Sequence, residues 1–244
     1  MESHRPVHAA GAEEFGRGGF ASAVILEREA GAKANKLRLH PDVDTLGLGY
    51  GASPLAADSV EMRVKAVSLN FRDVVHAKYL RPKNLPFIPC SDCVGEVIKV
   101  GRDVRDLRVG DRVCPLFFPH WKAGHPETFR LLRGALGGAN ALEGGMTQGV
   151  LRATLRAKEA EVVKVPNFLT DEEASTLPCA GLTAYCAVRG GYEYEMDARR
   201  KKGVKRPVML VEGTGGVSLF ALQFATALGC KVICTSSSDV KLQK

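Results

Sequence analysis

From residue 23 to residue 186 the apolar positions fall in short alternating or continuous runs divided by Gly, Pro and Asp, which is the period of strands rather than of amphipathic helices. The runs predict strands at Ala23–Glu27, Val60–Ser68, Gly95–Val100, Arg112–Pro115 and Val162–Val165, with turns at Gly101-Arg102-Asp103 and Gly110-Asp111. The period then lengthens. Thr170-Asp-Glu-Glu-Ala174 reads as a helix start, with Thr170 the capping hydroxyl and Glu173 closing a capping box, and a second helix runs through Gly181–Val188. Farther on, strand Val208–Val211, helix Val217–Leu228 and strand Cys230–Cys234 alternate, and another helix opens at Asp239. The pattern predicts an α/β chain: a loose tail over 1–22, a β-rich barrel-like domain over 23–186, and a parallel βαβ unit over 187–244.

Length and composition leave room for one large or two modest domains, with 244 residues and 45% hydrophobic content. No apolar run nears the roughly 18 residues a membrane helix needs. Met1-Glu-Ser-His-Arg-Pro6 also lacks the charged-then-apolar layout of a signal peptide, so a soluble, cytoplasmic chain is expected. Seven cysteines, an odd number spread through apolar segments, fit reduced thiols better than a disulfide framework. The net charge is +7, and Arg199, Arg200, Lys201, Lys202, Lys205 and Arg206 supply six positive charges in one stretch. That stretch reads either as a nucleic-acid or nuclear-localisation patch or as a solvated loop before a strand. No aromatic side chain is interleaved to stack on bases, so no nucleic-acid partner is expected.

Candidate chemistry enters with Glu212-Gly-Thr-Gly-Gly-Val-Ser218. Between a strand and a helix, Gly213 and Gly215 let the backbone turn tightly and approach a pyrophosphate, with Gly216 and Val217 opening the helix whose N-terminus faces it. Ser218 stands where a third glycine would permit close packing of helix on strand. After the second strand comes Thr235-Ser-Ser-Ser-Asp239-Val-Lys241. Ser236 occupies the place of the carboxylate that would bond a ribose 2′-hydroxyl. Ser236, Ser237 and Lys241 suit a 2′-phosphate instead, which favours NADPH over NADH. A serine-rich turn with a solvated lysine is the plainer reading, and Asp239 speaks for it.

Four segments in this order resemble the medium-chain dehydrogenase/reductases. They are Val64-Lys-Ala-Val-Ser-Leu-Asn-Phe-Arg-Asp73; Pro89-Cys-Ser-Asp-Cys-Val-Gly-Glu-Val-Ile-Lys-Val-Gly101 with Val109-Gly-Asp-Arg-Val113; Ala174-Ser-Thr-Leu-Pro-Cys-Ala-Gly-Leu-Thr-Ala-Tyr185; and the glycine turn. The branch they are most similar to is that of the zinc-free quinone oxidoreductases and alcohol-dehydrogenase-like proteins, from about residue 60 onward. The resemblance implies a GroES-like catalytic domain followed by the beginning of a Rossmann domain. It also implies hydride transfer from NADPH to a small quinone, enone or related carbonyl.

The resemblance assigns the substrate side to Asn70, and less firmly to Arg72, as donors to the carbonyl oxygen; Asn70 reads equally well as a satisfied loop residue. Asp73 is expected to orient backbone, and Tyr79 to be a core or surface side chain rather than a pocket one. Thr183 matches the position that bonds the nicotinamide carboxamide, against a helix threonine bonding its own backbone. No metal is expected. Asn70 and Ser91 stand at or near the positions of zinc ligands in the metal-dependent relatives, and Cys114 is alone where a structural zinc would need four cysteines. Cys90-x-x-Cys93 has no second pair, and His120 and His125 read as surface residues.

A doubly wound domain has about six parallel strands, and Val208 to Lys244 has room for one βαβ unit. Three expectations stay open: a fragment, an inactive truncated homologue acting as an interaction protein, or a chain whose incomplete sheet is completed by a partner chain or by self-association.

Overall fold

The computed structural model describes residues 22–29, 34–50, 53–79, 86–119, 121, 123, 134–139, 146–200 and 207–243, apart from the side chains of 194–200. It divides into two compact units, Met1–Thr176 and Leu177–Lys244. His120, His125, the run 201–206 and the tail over 1–21 lie outside the described residues.

In the first unit β1 (Ala23–Glu27) and β2 (Lys36–His40) form an antiparallel hairpin. β3 (Ser59–Ser68) follows, then α1 (Phe71–Tyr79), β4 (Asp92–Val100) and β5 (Arg112–Pro115). A short hairpin of β6 (Gly138–Ala139) and β7 (Met146–Thr147) precedes β8 (Thr154–Lys158), β9 (Val162–Lys164) and α2 (Asp171–Ser175). Five of these strands make one antiparallel sheet in the order β8-β3-β4-β5-β9. Val60, Met62, Cys93, Val97, Val113 and Leu155 meet in its core.

β4 starts at Asp92, earlier than its alternation suggests, because its first half is covered on both faces. Cys93 turns into the main core while Val94 packs with Cys114, Val165 and Ala174 of α2. α2 begins as its sequence predicts: Thr170 Oγ accepts from the Glu173 N–H at 3.2 Å, and the Glu173 carboxylate accepts from the Thr170 N–H at 2.9 Å. An ion pair of 2.8 Å from Arg112 to Asp171 ties the helix to β5.

The second unit opens with a single wide turn, Leu177–Gly181, that runs into α3 (Leu182–Arg200). The boundary expected near residue 186 falls inside this helix. Then come β10 (Val208–Glu212), α4 (Gly216–Ala227), β11 (Lys231–Thr235) and the short α5 (Asp239–Leu242). β10 and β11 are parallel, with Val208 opposite Lys231 and Glu212 opposite Thr235. Val188 and Tyr192 of α3, Phe224 and Ala225 of α4, and Met209 and Val232 of the strands share one core. Among the described residues no helix is long and apolar enough to cross a membrane.

Candidate functional site

The substrate-side residues sit where β3 gives way to α1. Ser68 is the last paired residue of β3, opposite Asp92, and two residues later the Asn70 N–H donates to Asp73 Oδ2 at 2.7 Å. The Asp73 N–H returns a bond to the Asn70 carbonyl at 3.0 Å, so Asp73 holds the backbone that carries Asn70, as the sequence predicts. Asn70 Nδ2, Asp73 Oδ1 and His76 Nδ1 are all buried without a hydrogen-bond partner among the described residues. Their three-residue spacing places them along one face of the helix opening. Leaving such groups unpaired costs about 1–3 kcal/mol each, so three together mark a polar strip that the packing alone does not explain.

His76 was not among the residues picked from sequence. Its ring meets Phe87 edge-on at 5.8 Å and 74°. Burial, and then the positive charge of Arg72, hold it below its ordinary value of 6.5 against the opposing pull of Asp73. Tyr79 is exposed at the end of the same helix. Arg72 turns to other protein groups: Nη2 donates to the Leu136 carbonyl at 2.6 Å, and the guanidinium lies 4.8 Å over the Phe117 ring.

The residues at the zinc-ligand positions do not fit that metal. Asn70 offers an amide, and the Ser91 hydroxyl donates to Asp92 Oδ1 at 2.5 Å, both of these side chains being fully buried. Zinc takes thiolates, imidazoles and carboxylates. Cys90, Cys93 and Cys114 are free, buried thiols, and burial is the largest cause of their upward shift. Cys114 is pushed up to about 12, and the Asp92 carboxylate adds to the shift of all three, so the thiols are held protonated. Among the described residues no three His, Cys, Asp or Glu side chains are grouped to hold a metal ion.

The second unit gathers the nucleotide candidates at one end of its sheet. Gly213 follows β10 in a left-handed conformation, φ 82°, and its N–H donates to the Thr235 carbonyl at 3.0 Å. That bond sets the glycine turn beside the serine turn after β11, at the carboxyl end of both strands, where dinucleotides bind in such sheets. Gly215 caps α4, and a Cβ there would meet nothing within 4 Å, which leaves the space before the helix N-terminus open. Gly216 and Val217 are exposed, and a Cβ on Gly216 would stand 3.6 Å from Ala180. Ser218 serves in place of a third glycine because its hydroxyl donates back to the Glu212 carbonyl at 2.8 Å, which closes the turn.

Ser236 Oγ accepts from the Ser238 N–H at 3.2 Å and keeps its own proton for a further partner. Ser237 and Lys241 are exposed, and Lys241 has no ion-pair partner among the described residues. The wide turn before α3 touches the start of α4 through Ala180 and Gly181. This brings Thr183 to the same end of the unit. Thr176 and Thr226 bond their own backbones, whereas the exposed Thr183 hydroxyl has no hydrogen bond among the described residues. The residues present thus fit a nicotinamide dinucleotide, with an open glycine turn and, among the described residues, unpartnered hydroxyl and ammonium groups at one end of the sheet.

Residues 56–167 match the alcohol dehydrogenase GroES-like domain family. The chain is 39% identical over 186 residues to a zinc-type alcohol dehydrogenase-like protein of Schizosaccharomyces pombe, covering 75% of this chain and 49% of that one. It is 28% identical over 206 residues to a chloroplastic quinone-oxidoreductase of Triphysaria versicolor, covering 78% and 54%. Among solved structures, a protein of Sinorhizobium meliloti assigned as an alcohol dehydrogenase superposes with a TM-score of 0.63 at 35% identity, over 91% of this chain and 58% of that one. The chain spans about half the length of the curated relatives it matches. On these matches the chain belongs to the medium-chain dehydrogenase/reductase family.

Proposed function

We propose that the chain carries the substrate domain and the opening of the nucleotide domain of an NADPH-dependent oxidoreductase that reduces a quinone, an enone or a related carbonyl without zinc. The observation that carries this reading is the Asn70 amide. Its Nδ2 has no hydrogen-bond partner among the described residues, so turning the amide about the Cβ–Cγ torsion to offer that donor to a carbonyl oxygen breaks no bond that Nδ2 makes there. A positioned N–H stabilises the charge that develops on a carbonyl oxygen as it is reduced, the task that a metal performs elsewhere. Bound NADPH supplies the hydride.

The protein's own contributions are local. Asp73 holds the Asn70 backbone, and Ser236, Ser237 and Lys241 offer hydroxyl donors and a positive charge to a 2′-phosphate. Thr183 offers a free hydroxyl to a carboxamide. The kinship with a quinone-oxidoreductase supports the substrate class.

Calorimetry with both nucleotides tests the cofactor. NADPH should bind more tightly than NADH, and Lys241→Ala should weaken NADPH alone, by about tenfold for the loss of one charge-assisted contact of about 1.5 kcal/mol. Equal affinities, unchanged in the variant, would defeat the assignment. Duroquinone added to the ¹⁵N-labelled chain should shift the Asn70 side-chain amide resonance, and a stationary resonance counts against Asn70 as donor. A second reading, an inactive homologue acting as an interaction protein, draws on the exposed apolar side chains Val208, Leu210 and Ile233 of β10 and β11.

A further inference from the structure

We propose that Arg72 is a positioning residue: its guanidinium, wedged between the Phe117 ring, the Leu136 carbonyl and the bare Cα of Gly138, sets where the Asn70 amide stands against the wall of the substrate site. The proposal rests on the reading of Asn70 as carbonyl donor and names what holds that donor in place. An arginine on a surface helix ordinarily reaches into water, as Arg102 does on its turn. Around Arg72 the main chain is shaped to receive the side chain. Nη2 donates to the Leu136 carbonyl at 2.6 Å, and the Phe117 face lies 4.8 Å away. A Cβ on Gly138 would stand 2.7 Å from Nη1, closer than such contacts occur. The Leu136 N–H donates to the Phe117 carbonyl at 3.1 Å, so the two surfaces that grip the guanidinium are themselves joined.

The same wall is connected to Asn70 by a second route. A Cβ on Gly137 would fall 2.4 Å from the Cys90 carbonyl oxygen, so residues 136–138 lie directly against the Cys90 turn. Cys90 leads through Ser91 to Asp92, whose strand partner Ser68 lies two residues before Asn70. Asn70 is therefore linked to the wall along β3 and β4 on one side and through Arg72 on the other. Lysine could keep the charge, but its single ammonium lacks the planar fork that donates to Leu136 while lying flat on Phe117.

The test uses the ¹⁵N-labelled full chain with Arg72→Lys, Arg72→Met, Gly138→Ala and the Arg72→Met/Gly138→Ala double variant. Two quantities are read: the Asn70 side-chain amide resonance and the melting temperature. Gly138→Ala should displace the guanidinium, move the Asn70 resonance and lower Tm by about 4 °C. In the Arg72→Met background the same alanine has no Nη1 to strike and meets only the Ala135 carbonyl, at 3.2 Å, so its effect on Tm should fall to about half or less. Arg72→Lys, which keeps the charge and should keep the fold, should still move the Asn70 resonance. A resonance that stays in place in Arg72→Lys, or effects of Gly138→Ala and Arg72→Met that simply add, would overturn the proposal. A parent chain whose Asn70 resonance ignores duroquinone defeats the donor reading instead, and that measurement is separate from the variant shifts.

Discussion

β4 is buried on both faces over its first half and β10 on one, although both strands are rich in valine and other apolar residues. Around β4, Cys93 and Val97 turn toward Met62 and Val113 while Val94 lies under α2. Around β10 and β11, Met209 and Val232 pack on α3 and α4, but Val208, Leu210 and Ile233 on the opposite face are 50%, 58% and 48% exposed. Parallel strands ordinarily carry cover on both faces. α3 adds a second weakness, since Gly190 and Gly191 fall inside it and a Cβ at either would meet nothing. Apolar content is therefore a poor guide to local stability here; what counts is whether the apolar side chains have something to lie against.

The largest expected consequence is in hydrogen exchange. Backbone amides of β10 and β11 should exchange about a thousandfold faster than those of β3 and β4, because opening one thinly covered unit does not require global unfolding. Matching protection in the two units would break the comparison. Next, Met62→Ala in the first core should cost about 3 kcal/mol in urea unfolding, and Leu210→Ala on the bare face no more than about 0.5 kcal/mol. Similar costs would mean that something covers Leu210 in solution.

Gly190→Ala should sharpen the contrast from the other side. It adds helix propensity at an exposed position with room for the methyl group, and should stabilise the second unit by up to about 1 kcal/mol, seen as slower exchange in β10 and β11. The smallest effect concerns acid. Burial holds His76 below 6.5 in the folded chain, so the unfolded chain takes up its proton first. The stability this confers is complete above 6.5 and is lost as pH falls through the window below it. His76→Asn should flatten the pH dependence of melting of the first unit in that window and leave the second unit unchanged; an unaltered profile would show that His76 titrates alike in both states.

Short-range signals in the chain proved readable where they are self-contained. The Thr170–Glu173 box, the glycine turn and the β10–α4–β11 alternation each depend on residues a few positions apart, and each stands within a residue or two of its expected place. Asp73 acts on Asn70 from three residues away, and its role too was visible. β2 was not, because Leu37 and Leu39 alternate with charges yet face solvent, so the pattern has no buried face behind it. β8 was missed for a related reason: Arg156 and Lys158 mask a strand whose place is set by pairing with β3.

α1 lies within a motif whose order identified the family, but its helical face, and with it His76, emerges only once the Asn70–Asp73 bond starts the helix. Turns, caps and periodicity are written into neighbouring positions, so the family, the two-part α/β organisation and the candidates Asn70, Thr183, Gly213 and Ser236 can be read along the chain. Only the tertiary structure decided that the Arg72 guanidinium is engaged by a carbonyl 64 positions away and that one face of β10 is left bare. Contacts of that range follow from how the packed elements meet, and no local period records them.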